Sequence, residues 1–127
     1  TALALLRRPD VVHAGVVGAP VTDWTLYDTH YTERYLGDPN ERPEVYARNS
    51  SLGDAGGLRG AMLLVHGLAD DNVVAAHTLR LSAALAEAGR PHRLLLLSGS
   101  SPRTGAPELR ARLPQIELDF LREALGV

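Results

Sequence analysis

Three short apolar runs mark out the chain: residues 14–18 (AGVVG), 61–66 (AMLLVH) and 93–97 (RLLLL). Runs of this length without polar alternation fit strands buried on both faces, the form strands take in a parallel sheet. Longer stretches with helical period lie around them. Residues 1–8 read as the back half of a helix stopped by Pro9 and Asp10, and residues 74–88 are Ala/Leu-rich with a stop at Gly89 and Pro91. Residues 108–125 form a long amphipathic pattern. In residues 22–36 the rings Trp24, Tyr27, Tyr31 and Tyr35 recur at steps of 3, 4 and 4, which predicts one aromatic helix face. Residues 38–43 (DPNERP) form a turn-rich loop, 44–49 one helical turn, 50–60 a Gly-rich connector and 99–107 a Gly/Ser/Pro loop. Strand, helical segment, strand, helix, strand, helix is the order of an α/β domain with a parallel sheet. Ligands of such sheets bind beyond the carboxyl ends of the strands. Those ends are residues 18–24, 67–73 and 98–105.

The composition narrows the function classes. The 127 residues carry 13 Lys+Arg against 15 Asp+Glu, a net charge of −2, with 45% hydrophobic and 22% charged residues. That is a globular composition, too apolar for disorder and without the basic stripe of a nucleic-acid binder. No apolar run approaches the ~18 residues that would suggest a membrane span. With no Cys, disulfide frameworks and thiolate zinc sites are excluded, and with no Lys there is no Schiff base. Neither a G-x-G-x-x-G turn after a strand nor a P-loop occurs, and no His/Asp/Glu set has metal-ligand spacing, so no cofactor and no metal are expected. The opening helix has no N-cap before it, and the chain is expected to be part of a longer polypeptide.

Two segments hold candidate chemistry. His66-Gly67-Leu68-Ala69-Asp70-Asp71-Asn72-Val73 directly follows the second apolar run. Adjacent carboxylates on such a loop cannot face the same way. Asp71 or Asn72 can cap the next helix, and an inward carboxylate can orient a catalytic histidine. The rings of Trp24, Tyr27 and Tyr31 suit either the core or a flat apolar slot.

These residues also carry a family likeness. Gly18-Ala19-Pro20-Val21-Thr22-Asp23-Trp24, Tyr27-Asp28, Tyr31-Thr32-Glu33-Arg34-Tyr35-Leu36-Gly37, Tyr46, Arg48-Asn49-Ser50 and the 66–73 loop resemble, in order, the prolyl oligopeptidase family of serine peptidases. The likeness is strongest to the dipeptidyl peptidase IV branch, covers residues 1–98 and returns at Asp119-Phe120-Leu121. It implies the C-terminal half of an α/β-hydrolase fold, with parallel strands alternating with helices over residues 1–127. It further implies removal of N-terminal dipeptides after Pro or Ala by a Ser…Asp…His triad. On that mapping Asp70 is the triad acid, Asn72 helps to polarise the substrate carbonyl, and Val21, Trp24, Tyr27, Tyr31 and Val73 wall the proline pocket. The implied partners are a peptide substrate and the remainder of the same polypeptide, namely the nucleophile half and an N-terminal β-propeller-type domain. A second copy docked through the last helix, with Ile116, Phe120 and Leu121 facing it, completes the set.

Two departures stand against the match. No G-x-S-x-G nucleophile turn is present, and the 99–105 loop carries Pro102 about where the base histidine is expected. The five histidines do not replace it. His66 ends a strand and reads as structural, while His77 is expected to face solvent or pack locally. His92 lies at a strand start away from the expected site, and His13 and His30 sit in no motif. The alternative function is therefore a catalytically inactive α/β-hydrolase homologue serving binding or assembly.

Overall fold

Residues 61–67 read as the most continuous apolar run, and in the computed structural model they become the central strand. The structure describes residues 1–98 and 107–127. The elements run α1 (Ala2–Arg7), β1 (Ala14–Gly18), a 3-10 turn (Trp24–Leu26), α2 (Thr29–Leu36), α3 (Pro43–Asn49), a second 3-10 turn (Leu52–Gly57), β2 (Ala61–Gly67), α4 (Ala76–Glu87), β3 (Arg93–Leu97) and α5 (Pro107–Leu125). The strands form one parallel sheet in the order β1-β2-β3, with Val16 opposite Leu63 and Leu64 opposite Leu94.

Because strand side chains alternate, β2 feeds two cores. Met62 and Leu64 pack with Leu5 and Leu6 of α1, Leu81 and Leu85 of α4, and Ala55 and Leu58 of the connector. Leu63 and Val65 point to the other face and meet Leu97 with Leu113 and Phe120 of α5. Helices therefore cover both faces of the sheet, which is why the strands show no polar alternation. Each fully buried Leu contributes about 1.5–3 kcal/mol. β1 and β3 are the edge strands of this sheet, and Leu94 and Leu96 stay exposed on β3.

Close backbone approaches set the strand starts. A Cβ on Gly60 would lie 2.2 Å from the His13 carbonyl oxygen, and the same carbonyl accepts the Ala61 N–H at 2.9 Å. Only glycine fits there. At the same end of the sheet, Arg93 at the start of β3 forks onto the Glu123 carboxylate and lies over the Phe120 ring, 5.6 Å from its centroid. Both charged groups are more than half exposed, so solvent screens the pair and it adds little to stability.

Three expectations need correction. Residues 22–36 do not form one helix. The Asp23 carboxylate accepts from the Thr25 N–H at 3.0 Å and caps the 3-10 turn, and Asp28 accepts from the His30 N–H at 3.0 Å to start α2. Tyr27 between them is extended. Asp prefers such capping roles to a helix interior, so the aromatic period crosses a break. Second, Phe120 is buried, so it does not join an exposed stripe; Leu121 is half-buried against the same core and Ile116 is exposed. Third, α4 begins after Ala75 with no side-chain cap, so Asp71 and Asn72 do not cap it. The expected loop with Pro102 lies outside the described residues.

Candidate functional site

At the carboxyl end of β1 the backbone turns sharply. Ala19 has φ of +40°, a left-handed conformation unusual for a residue with a Cβ, and Pro20 follows. Its N–H still reaches the Val65 carbonyl at 2.9 Å, so the turn starts from the sheet itself.

Thr22, three residues on, has no solvent exposure and uses all of its polar groups. Its N–H donates to His77 Nδ1 (3.3 Å) and its hydroxyl to the His77 carbonyl (2.8 Å). Its carbonyl accepts from the Ser51 N–H and the Ser50 hydroxyl, each at 3.0 Å. One residue thus ties the loop after β1 to α4 and to the segment after α3. Asp23 adds an ion pair to Arg80 of α4 at 2.8 Å. Burial pushes the Asp23 carboxyl up, but hydrogen bonds from Thr25 and Arg80 and the Arg80 charge outweigh it and hold it below its ordinary value.

That loop gathers the rings that sequence period had placed on one helix. Trp24 meets Tyr27 edge-on at 5.7 Å and lies near-parallel to Tyr31 at 6.4 Å, and Tyr27 meets Tyr31 edge-on at 5.8 Å. Tyr35 extends the cluster at 5.0 Å from Tyr31. These rings belong to neither core; Tyr31 and Tyr35 are exposed. Trp24, Tyr31, Tyr35, Leu36, Thr32 and Asn49 line a hollow of about 170 Å³.

The second segment is the loop after β2. His66 is fully buried, with Nε2 2.6 Å from the Val73 carbonyl and Nδ1 2.5 Å from the Thr78 hydroxyl. A carbonyl only accepts, so Nε2 carries a proton, and in the neutral ring the Thr78 hydroxyl donates to Nδ1. The expected structural role of His66 is what the contacts describe. Asp70 Oδ1 accepts the N–H groups of Asn72 (3.1 Å) and Val73 (3.0 Å), while Oδ2 has no partner among the described residues. The Tyr27 hydroxyl donates to Asn72 Oδ1 at 3.4 Å, joining the two segments. With its oxygen so engaged, Asn72 presents its NH₂ group outward.

Of the candidate residues, Trp24, Tyr27 and Tyr31 therefore form one cluster, Asn72 touches it through Tyr27, and Asp70 and Val73 share one turn. Val21 stands apart: it lines a separate hollow with Thr1, Ala2, Leu3 and Val17. His77 is not at the solvent surface. It is fully buried, and among the described residues its Nε2 has no hydrogen-bond partner of good geometry. Burial lowers its pKa below the ordinary imidazole value, against an opposing pull from Asp23. His92 pairs with Ser82 (2.7 Å) and the Arg90 carbonyl (3.0 Å) at the opposite end of the sheet. Sequence reasoning missed Thr22, His77, Ser50 and Arg80. Their contacts span 28 to 57 residues, and no local spacing encodes them. Among the described residues no group of three His, Asp or Glu side chains is placed to hold a metal, and no helix is long and apolar enough to cross a membrane.

A parallel sheet covered by helices on both faces, with its chemistry on loops at the carboxyl ends of the strands, is the α/β-hydrolase arrangement. The chain belongs to the prolyl oligopeptidase family, peptidase family S9, whose model matches residues 1–127. It is 36% identical to dipeptidyl peptidase 8 of Homo sapiens over 98% of its own length and 14% of that protein's. A probable dipeptidyl-aminopeptidase B of Penicillium rubens is 48% identical over 69 residues, 53% of this chain and 8% of that one. Among solved structures, Porphyromonas gingivalis dipeptidyl peptidase 4 superposes with a TM-score of 0.92 at 33% identity, over 98% of this chain and 18% of that protein. The chain thus spans under a fifth of the length of these relatives.

Proposed function

We propose that this chain is the C-terminal part of the peptidase domain of a serine exopeptidase that releases N-terminal dipeptides after Pro or Ala. In this reading Asp70 is the triad acid. Its Oδ1 is committed to the loop amides, which leaves Oδ2 to accept Nδ1–H of the catalytic imidazole and hold it in the tautomer a general base requires. Trp24, Tyr27 and Tyr31 form the slot for the proline or alanine side chain, and Val73 adjoins it from the Asp70 turn. A ring without a donor is recognised by apolar faces alone. Asn72, its amide oriented by Tyr27, donates to the substrate carbonyl.

The observation that carries this reading is the Tyr27–Asn72 contact, which brings the aromatic cluster and the Asp70 turn together although 45 residues separate them. The nucleophile and the remaining partners of the site come from the rest of the same polypeptide, and a second copy packs against α5 around Ile116. To test the reading, the full-length protein is incubated with peptides beginning Xaa-Pro, Xaa-Ala and Xaa-Leu and the products are weighed. Release of Xaa-Pro and Xaa-Ala dipeptides alone is expected; cleavage without position or residue preference refutes it.

One observation favours a second reading, a catalytically inactive homologue that binds peptide. Pro102 stands about where the resemblance places the base histidine. In that case calorimetry detects binding of an Xaa-Pro peptide that is never turned over.

A further inference from the structure

The most telling group outside the proposed chemistry is His77, because among the described residues one ring nitrogen has a well-placed partner and the other has none. The ring has no solvent exposure. The Thr22 amide can only donate, so Nδ1, at 3.3 Å, must offer a lone pair. A neutral ring then carries its proton on Nε2, which has no partner of good geometry among the described residues, the Leu26 carbonyl being the backbone acceptor that faces the ring. A buried donor so weakly satisfied costs free energy that an apolar side chain of similar size would avoid. What the residue supplies in return is the anchoring of Thr22, two positions before Trp24.

We infer that His77 is a positioning residue for the aromatic slot: in its neutral form it accepts the Thr22 amide and so sets the loop that carries Trp24, Tyr27 and Tyr31. The inference rests on the proposed function, since it takes that slot as the site of the proline side chain. A proton on Nδ1 would face the Thr22 N–H, and two donors cannot bond. Protonation therefore breaks the ring's hold on the Thr22 amide, while the Thr22 hydroxyl still reaches the His77 carbonyl and Asp23 still pairs with Arg80. The charged and titratable groups facing the ring are Asp23 on the loop, Arg80 on its own helix and His66 on β2, with the Leu26 carbonyl at the end of the 3-10 turn. Asp23 favours the cation, but its carboxylate is already engaged by Arg80 and Thr25. Burial dominates and keeps the ring neutral at neutral pH.

The test uses the full-length protein and the ratio of kcat/KM for a Gly-Pro over a Gly-Ala p-nitroanilide. Shared steps, the triad's own titration and any loss of folded enzyme cancel in that ratio. His77→Leu removes the acceptor and is expected to lower the ratio roughly tenfold, the worth of a few methylenes in an apolar slot. His77→Asn keeps a carbonyl oxygen at the Nδ1 position and is expected to stay within about twofold of the parent. In the parent the ratio falls on acidification below the ordinary imidazole value, and in His77→Asn it does not. An unmoved ratio in His77→Leu overturns the inference, as does a loss in His77→Asn equal to that in His77→Leu. Should His77→Leu fail to fold, a parent ratio that stays flat from neutral pH down to the acid limit of activity overturns it. Turnover with an unmoved ratio removes this inference alone, whereas absence of any turnover removes the proposed function beneath it.

Discussion

Replacing Asp70 separates its structural work from its chemical work. Its Oδ1 accepts two amides of its own turn, at 3.1 and 3.0 Å. A hydrogen bond to a charged acceptor is worth about 1.5–3 kcal/mol. The turn is half-exposed, so water replaces part of each bond, and Asp70→Ala is expected to cost about 2 kcal/mol in total. Asp70→Asn keeps an oxygen for both amides at about half the strength per bond, a cost of about 1 kcal/mol. Chemistry does not share that ranking, because neither variant can accept the imidazole N–H through a carboxylate oxygen. The asparagine NH₂ would take the place of Oδ2 and present a donor to the imidazole N–H, which favours the wrong tautomer. Both variants should lose about ten-thousandfold in kcat, ~5.5 kcal/mol of barrier. Urea titration and dipeptidyl p-nitroanilide turnover of the full-length protein give the two numbers. Asp70→Asn activity within tenfold of the parent would refute the assignment, however its stability changed.

Other consequences follow from the same contacts. Leu64 is fully buried at the centre of the sheet, so Leu64→Ala should cost about 2–5 kcal/mol in urea unfolding. Gly60→Ala forces the β2 start away from the His13 carbonyl and should cost about 2 kcal/mol or more by the same measurement. Tyr27→Phe frees the Asn72 amide; kcat/KM is expected to drop about fivefold with under about 1 kcal/mol of stability lost. Because the pKa of His77 is lowered in the folded state, the unfolded chain binds the proton first as pH falls. The stability it contributes is full above about pH 6.5 and declines below it, by at most about 1.4 kcal/mol per pH unit, until the folded-state value is passed. Urea midpoints across that range should slope in the parent and flatten in His77→Asn.

The strands were legible because burial on both faces leaves an uninterrupted apolar run, and β1, β2 and β3 fall within a residue of the expected bounds. The aromatic segment was legible in content but not in form. Trp24, Tyr27, Tyr31 and Tyr35 do meet, through a loop that Asp23 and Asp28 break from the helix. Helical period alone weighed four rings and passed over two capping carboxylates. On α5, amphipathic spacing did not say which face the sheet would take, and Phe120 and Leu121 went inward. The contacts of Thr22 and His77 were illegible for another reason. Each depends on the tertiary approach of α4 to the loop after β1, and a lone Thr or His carries no pattern that foretells its partner.

The central claim is that this chain completes a serine peptidase site. The direct test is labelling of the folded full-length protein with a fluorophosphonate, read by intact mass and by peptide mapping. The account predicts one adduct on one serine upstream of this chain, with labelling slowed by an Xaa-Pro dipeptide and lost in Asp70→Asn. No adduct on a folded protein, or an adduct that Asp70→Asn leaves unchanged, would contradict it.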